Sequence, residues 1–139
     1  MKKHLLDASS LIFLIRKAEA QTTVECLRES VVLDLTFYEV GNVIWKEGVL
    51  KKSITPNDYK AFENMARTIL GKVDRITVEA EALAGILEIA KNEVLSFYDS
   101  SYVYFAKENN LILVTEDKEL KTKAHKHVKV KTIAELLAR

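Results

Sequence analysis

Short runs of consecutive apolar residues alternate along the chain with longer segments in which apolar positions recur every three or four residues. The first pattern marks strands buried on both faces and the second marks amphipathic helices. Residues 4–7 read as a first strand. They run into Ser9, Ser10 and the apolar stretch 11–15, which is too long for a half-exposed strand and predicts a buried helix capped by Asp7 or Ser9. Residues 20–29 predict a second, short helix. The β-branched run 31–35 predicts a strand, and 36–50 a helix with Val40, Val43, Ile44 and Leu50 on its apolar side. Thr55 and Pro56 open a further helix that runs to about Leu70, where Gly71 closes it. Then come a short strand (73–77), an amphipathic helix (79–91) and a helix over 97–107 ended by the turn pair Asn109-Asn110. Residues 111–115 are the clearest strand. A lysine-rich helix (118–126), a strand (128–131) and a terminal helix (133–138) complete the series.

Strands separated by helices need crossover connections, so the pattern predicts an α/β fold with a mainly parallel sheet covered on both faces. The 139 residues contain one Pro and four Gly, with no linker, repeat or low-complexity stretch, and are expected to form one domain over 1–139. An apolar fraction of 48% with 29% charged residues fits a globular chain. No apolar run approaches the ~20 residues a bilayer crossing needs, and Asp7 and Arg16 interrupt the one stretch that begins like a signal peptide. Cys26, the only cysteine, cannot form an internal disulfide, so a cytoplasmic setting and a core role for its thiol are expected. A single glutamine, Gln21, is in keeping with a thermophilic source.

The net charge of +1 argues against a surface coated with phosphate contacts. Its distribution is less even. Between Lys118 and Lys131 stand six lysines and two histidines opposed only by Glu119. A solvated helix and a lysine-guarded edge strand account for that run, and contact with an anionic backbone is the alternative. His125 and His127 lack a Cys or acid at zinc-binding spacing and are expected on the surface.

Four acids sit where an apolar segment meets a polar one: Asp7, Glu39, Asp99 and Asp117. Thr36 and Glu39, and likewise Ser96 and Asp99, have the spacing of a capping box, as do Thr22 and Glu25, Thr55 and Asp58, and Thr132 and Glu135. Taken singly, each of the four therefore has a capping role open to it. Their placement adds another. Asp7 ends a strand, Asp117 lies two residues past one, and Glu39 opens the helix after a third. In a parallel α/β sheet, sites form outside the carboxyl ends of the strands. Acids converging there would make an oxygen-rich pocket for a hard divalent cation and a phosphodiester-cleaving site.

The pieces Leu5-Leu6-Asp7-Ala8-Ser9, Tyr38-Glu39-Val40-Gly41-Asn42, Tyr98-Asp99-Ser100-Ser101-Tyr102 and Leu113-Val114-Thr115-Glu116-Asp117-Lys118-Glu119-Leu120 resemble, in order, the four acidic motifs of PIN-domain ribonucleases. The chain length resembles the toxin half of VapBC-type toxin–antitoxin pairs. Ser100-Ser101 is more polar than the small apolar residues expected at that point of the third motif. The resemblance implies a PIN-like α/β/α sandwich with a short, mainly parallel central sheet. It also implies Mg²⁺ or Mn²⁺ at the acidic cluster, RNA as substrate, a homodimer, and a cognate VapB-type antitoxin. Asp7 and Asp99 would be the central metal ligands, with Glu39 and Asp117 as further ligands or as acceptors that orient water. Ser9 and Thr115 would support the carboxylates or hold the substrate phosphate. Asn42 shares the helix face of Glu39 and either touches substrate or is simply solvated. Two other readings remain open: a non-catalytic PIN-like binding module, and a receiver-type phosphoacceptor domain, for which Asp7 lacks the adjoining acid.

Overall fold

The computed structural model describes residues 1–138. Five strands form one sheet in the order β3-β2-β1-β4-β5, with every neighbouring pair parallel. They are β1 His4–Leu6, β2 Ser30–Leu33, β3 Asp74–Ile76, β4 Ile112–Val114 and β5 Val130–Lys131. Register is set by Leu5 opposite Val31 on one side and Leu113 on the other. Each strand is followed by helix: α1 Ala8–Lys17 and α2 Ala20–Arg28 after β1, then α3 Asp34–Trp45 and α4 Pro56–Lys72 after β2. The series continues with α5 Leu83–Glu93 and α6 Phe97–Glu108 after β3, α7 Lys118–Ala124 after β4, and α8 Ile133–Leu137 after β5.

Side chains alternate across a strand, so neighbours along it serve opposite faces. Leu6, Val32 and Val114 point into a core built with α1, α3, α4 and α8. Leu5, Val31, Leu33 and Leu113 point into a second core built with α5, α6 and α7. Two apolar layers on one sheet make the α/β/α sandwich expected from the sequence, and they explain why the central strands carry consecutive apolar residues, Leu5-Leu6, Val31-Val32-Leu33 and Ile112-Leu113-Val114, whereas β3 at the edge reads Asp74-Arg75-Ile76. Among the described residues no helix is long and apolar enough to cross a membrane. Cys26 is buried on α2.

Several boundaries differ from the sequence pattern for identifiable reasons. The expected strand 31–35 stops at Leu33, because Asp34 already belongs to α3. Thr36 thus lies inside the helix, where its hydroxyl accepts the Leu33 N–H (3.2 Å), so Thr36 and Glu39 do not form a capping box. Residues 46–50 continue α3 as a π-helical turn in which Gly48 faces the Tyr59 ring: a Cβ there would lie 2.9 Å from it. The helix expected over 79–91 begins instead as a 3₁₀ turn, Ala80–Ala82. It ends at Val94, a non-glycine residue at φ 52°. Thr22 sits inside α2 and opens nothing, whereas Thr132 and Glu135 make the full reciprocal box.

Gly71 does not close α4. The helix runs on to Lys72, and the C-cap, Val73, has extended backbone. Nothing lies within 4 Å of a Cβ built on Gly71. Because glycine weakens a helix by losing more backbone freedom than alanine does, Gly71→Ala should stabilise the protein by about 0.5–1 kcal/mol in chemical denaturation. A left-handed terminating glycine would give the opposite sign.

Candidate active site

The sheet order places the reversal of strand order between β1 and β4. The connection from β1 leads to β2 on one side, and that from β4 leads to β5 on the other. Carboxyl ends diverging in this way leave a crevice, the usual ligand position in open α/β sheets. Asp7 and Thr115 immediately follow these two central strands.

Asp7 is buried, 5% exposed, and is the N-cap of α1. Its Oδ1 accepts the Ser10 N–H (2.9 Å) and the Ser9 hydroxyl (2.7 Å). Its Oδ2 accepts the Thr115 hydroxyl across the crevice. Each of those two hydroxyls also accepts a backbone N–H from the segment after β4: Ser9 from Glu116 (2.9 Å), and Thr115 from Asp117 (3.1 Å). A hydroxyl whose oxygen already accepts an N–H is free to aim its single proton at the carboxylate. Burial nonetheless dominates and pushes the Asp7 carboxyl up from its usual range, with the hydrogen bonds from Thr115, Ser10 and Ser9 only partly opposing it.

Glu39 lies in the second turn of α3, not at its start. Its Oε1 accepts the Tyr102 phenol at 2.6 Å. Its carboxyl is likewise pushed up, first by desolvation, against the hydrogen bond from Tyr102, and further by the charges of Asp7 and Asp99. At the start of α6, Ser96 rather than Asp99 supplies the cap: its hydroxyl accepts the Asp99 N–H at 3.1 Å. The Asp99 carboxylate accepts no hydrogen bond among the described residues, and its pKa is raised to about 6. Desolvation contributes most, followed by repulsion from Asp117, Asp7 and Glu119. Asp117 caps α7, accepting the Leu120 N–H (2.9 Å), and is exposed.

The capping readings thus hold for Asp7 and Asp117 and fail for Glu39 and Asp99. All four acids nevertheless share one field, since Asp7 acts on Glu39 and Asp99, and Asp117 acts on Asp99. None of them belongs to an ion pair among the described residues. Asn42 is exposed on α3 and makes no hydrogen bond to any of the four among the described residues.

Three participants escaped the sequence reading. Tyr102 holds Glu39, Thr36, read as a cap, backs Tyr102, and Glu119 adds to the field on Asp99. The spacing held a clue: Tyr102 follows Asp99, and Glu39 follows Thr36, by three residues, one turn of helix. Half of the lysine run is spent elsewhere. Lys121 pairs with Glu135, Lys123 with Glu119 (3.4 Å) and Lys126 with Glu93 (2.8 Å). His127 is not a free surface residue either. It meets Glu93 at 2.9 Å with its side chain 20% exposed.

The donor set is entirely oxygen, which suits a hard divalent cation rather than zinc. Among the described residues no three His, Cys, Asp or Glu side chains are gathered into a ready-made metal cage.

Residues 4–126 match the family profile described as PIN domain. The chain is 33% identical over 136 residues to Exonuclease VapC9 of Pyrobaculum aerophilum, covering 98% of this chain and 96% of the relative. Ribonuclease VapC3 of the same organism is 27% identical over 128 residues, covering 87% and 94%. Among solved structures the chain is similar to the crystal structure of PAE2754 from Pyrobaculum aerophilum. The TM-score is 0.81 at 31% identity, over 99% of this chain and 96% of that one. It shares its fold with FitAB bound to an IR36 DNA fragment, with a TM-score of 0.67 at 16% identity over 93% and 94% of the two chains. A profile match over most of the sequence, joined to a relative 33% identical along nearly the whole chain, establishes that this chain belongs to the PIN domain family.

Proposed function

We propose that this protein is a metal-dependent endoribonuclease that hydrolyses RNA phosphodiester bonds, and that it is the toxin of a VapBC-type pair acting in the cytoplasm. The observation that carries the reading is the mutual repulsion among Asp7, Glu39, Asp99 and Asp117, none of which is paired with a cation among the described residues. Uncompensated carboxylates at a crevice are costly unless a bound cation relieves them. Membership of the PIN domain family and the names of the two relatives support nuclease chemistry and remove the receiver-type reading.

Asp7 and Asp99 would hold Mg²⁺ or Mn²⁺, with Glu39 and Asp117 completing its shell or accepting protons of water. Bound there, the cation supplies charge neutralisation at the phosphate and lowers the pKa of a water. The chain's own residues do the rest. Ser9 and Thr115 keep the Asp7 carboxylate in one orientation against its burial. Asp99, free of hydrogen bonds among the described residues, keeps its carboxyl oxygens open to the cation. Lys118, at the rim beside Asp117, takes part in no ion pair among the described residues and is available to the nucleic-acid backbone.

A homodimer is part of the same proposal. On α5, Ile86 and Ile89 are buried while Leu83 and Leu87 remain about half exposed (54% and 49%), an apolar stripe with no cover in the single chain. A VapB-type antitoxin is the expected protein partner.

The relative named as an exonuclease motivates a second reading, attack from RNA ends. Structured linear RNAs and a covalently closed RNA circle, incubated with Mn²⁺ or with chelator, separate the two. We expect metal-dependent cutting of both, whereas an exonuclease leaves the circle intact. Asp7→Asn and Asp99→Asn should each lower the rate by on the order of 10²–10³-fold. Unchanged cleavage in either variant overturns the assignment, and RNA binding without cleavage favours a non-catalytic module.

The pKa of Asp99 yields a stability prediction. In the unfolded chain the group titrates near its ordinary value of 3.8, and in the fold at about 6. Between those pH values the unfolded state has released a proton that the folded state still holds, so stability falls as pH rises through the window. Glu93 and Glu135 shift the opposite way, so the difference between wild type and variant is the quantity to follow. In chelator, wild-type Tm should drop relative to Asp99→Asn as pH rises from 4 to 6. A parallel pair of curves refutes the shift. Sedimentation analysis of Leu83→Asp/Leu87→Asp should give a monomer in place of a dimer. A dimeric variant places the interface elsewhere.

A further inference from the structure

Glu39 is the one carboxylate of the four held by a side chain from the opposite layer of the sandwich. Tyr102 reaches it from α6, is 1% exposed and is among the largest fully buried side chains. Its phenol donates to Glu39 Oε1 at 2.6 Å. Behind it stands Thr36, fully buried on α3, with Oγ1 2.7 Å from the Tyr102 oxygen. Thr36 Oγ1 also accepts the Leu33 N–H at 3.2 Å, at the junction of β2 and α3.

The direction of this chain can be deduced. An ionised carboxylate has no proton to give, so the single phenolic proton must go to Glu39. The tyrosine oxygen can then only accept, and the single Thr36 proton must go to it. Thr36 in turn accepts from the Leu33 N–H, whose direction the backbone sets. A relay with every direction determined therefore runs from Leu33 through Thr36 and Tyr102 to Glu39, crossing from the edge of β2 to α6 and back to α3. It uses one oxygen of Glu39. The other has no hydrogen bond among the described residues, and the carboxylate feels both Asp7 and Asp99.

We propose that Tyr102, backed by Thr36, is a positioning residue for the active site: its phenol holds the Glu39 carboxylate in place against repulsion from Asp7 and Asp99, leaving the second oxygen presented to cation or water. The proposal rests on the nuclease reading above. Neutral donors suit this task. A lysine or arginine in the same place would restrain the carboxylate and also neutralise it, weakening its pull on a cation. A hydroxyl restrains it and leaves the charge. The same device holds Asp7 through Ser9 and Thr115, so the two acids with hydroxyl partners are pre-set while Asp99 remains adjustable.

The test combines Mn²⁺ titration calorimetry with a readout that needs no metal. Tyr102→Phe keeps the ring and loses only the donor. It should fold, bind Mn²⁺ about tenfold more weakly and lower kcat more than KM. In a Glu39→Gln background the same change should have no further effect on Mn²⁺ affinity, because the group it acts through is gone. Thr36→Ser should retain wild-type affinity and Thr36→Val should resemble Tyr102→Phe. Without metal, proton NMR should show a slowly exchanging phenolic proton that is lost in Tyr102→Phe and moves upfield in Glu39→Gln. Wild-type Mn²⁺ affinity in Tyr102→Phe overturns the positioning role and leaves the nuclease reading standing. No Mn²⁺ binding by the wild type sinks the nuclease reading, and the metal-free signal then decides the contact: if it does not respond to Glu39→Gln, the relay is overturned as well.

Discussion

A buried carboxylate between the ends of two central strands is the constraint around which the rest of the protein is arranged. Asp7 loses its hydration where the chain turns from β1 into α1, and no lysine, arginine or histidine among the described residues pairs with it. What makes its position tolerable is a set of donors that arrive from two strands at once. Ser9 and Ser10 belong to its own helix, while Thr115 comes from the end of β4, 108 residues away in sequence. The same contacts satisfy backbone N–H groups of Glu116 and Asp117, so the bend after β4 is shaped by the acid it helps to hold. Site and sheet are therefore not separable: the hydrogen bonds that orient the carboxylate also join the two strands at which the topology reverses.

That arrangement separates two tasks that a salt bridge would merge. Orienting an acid requires a donor, and keeping it able to attract a cation requires that the donor carry no charge. Hydroxyls meet both needs, and they appear at Asp7 and again at Glu39. Of the lysines that follow β4, three are committed to acids other than Asp7, Glu39, Asp99 and Asp117. Lys121, Lys123 and Lys126 close pairs with Glu135, Glu119 and Glu93, while Lys118, next to Asp117, stays unpaired among the described residues. Exposed pairs of this kind add little stability. Their effect here is on where positive charge resides.

Much of the fold could be read from the chain because its layers follow from local pattern. Runs such as Leu5-Leu6 and Val31-Val32-Leu33 are apolar on consecutive positions, and only a strand covered on both faces demands that. The caps at Thr55, Ser96 and Thr132 were equally visible, since a hydroxyl three residues ahead of a backbone N–H is a local affair. Where local rules conflicted, the pattern lost. The Thr36–Glu39 spacing promised a reciprocal cap, but the strand ended early and α3 started at Asp34, which turned Thr36 inward toward Tyr102. Gly71 promised a helix end, yet the flanking turn remains helical through Lys72.

The site divides along the same line. The sequence by itself determined the four acids, their order, the hydroxyls at positions 9 and 115, and the strand ends that Asp7 and Asp117 follow, because each of these is a property of a short segment. It determined nothing about which carboxylates would be restrained and which left free. Tertiary structure decided that, by bringing Tyr102 of α6 onto Glu39 of α3 and Thr115 of β4's end onto Asp7. It also decided that Ser96 rather than Asp99 would cap α6, leaving that acid to its like-charged neighbours. The physical reason is range. Strand burial and helix capping act within a few residues, whereas desolvation and charge repulsion act through space, between groups that only the folded chain makes neighbours.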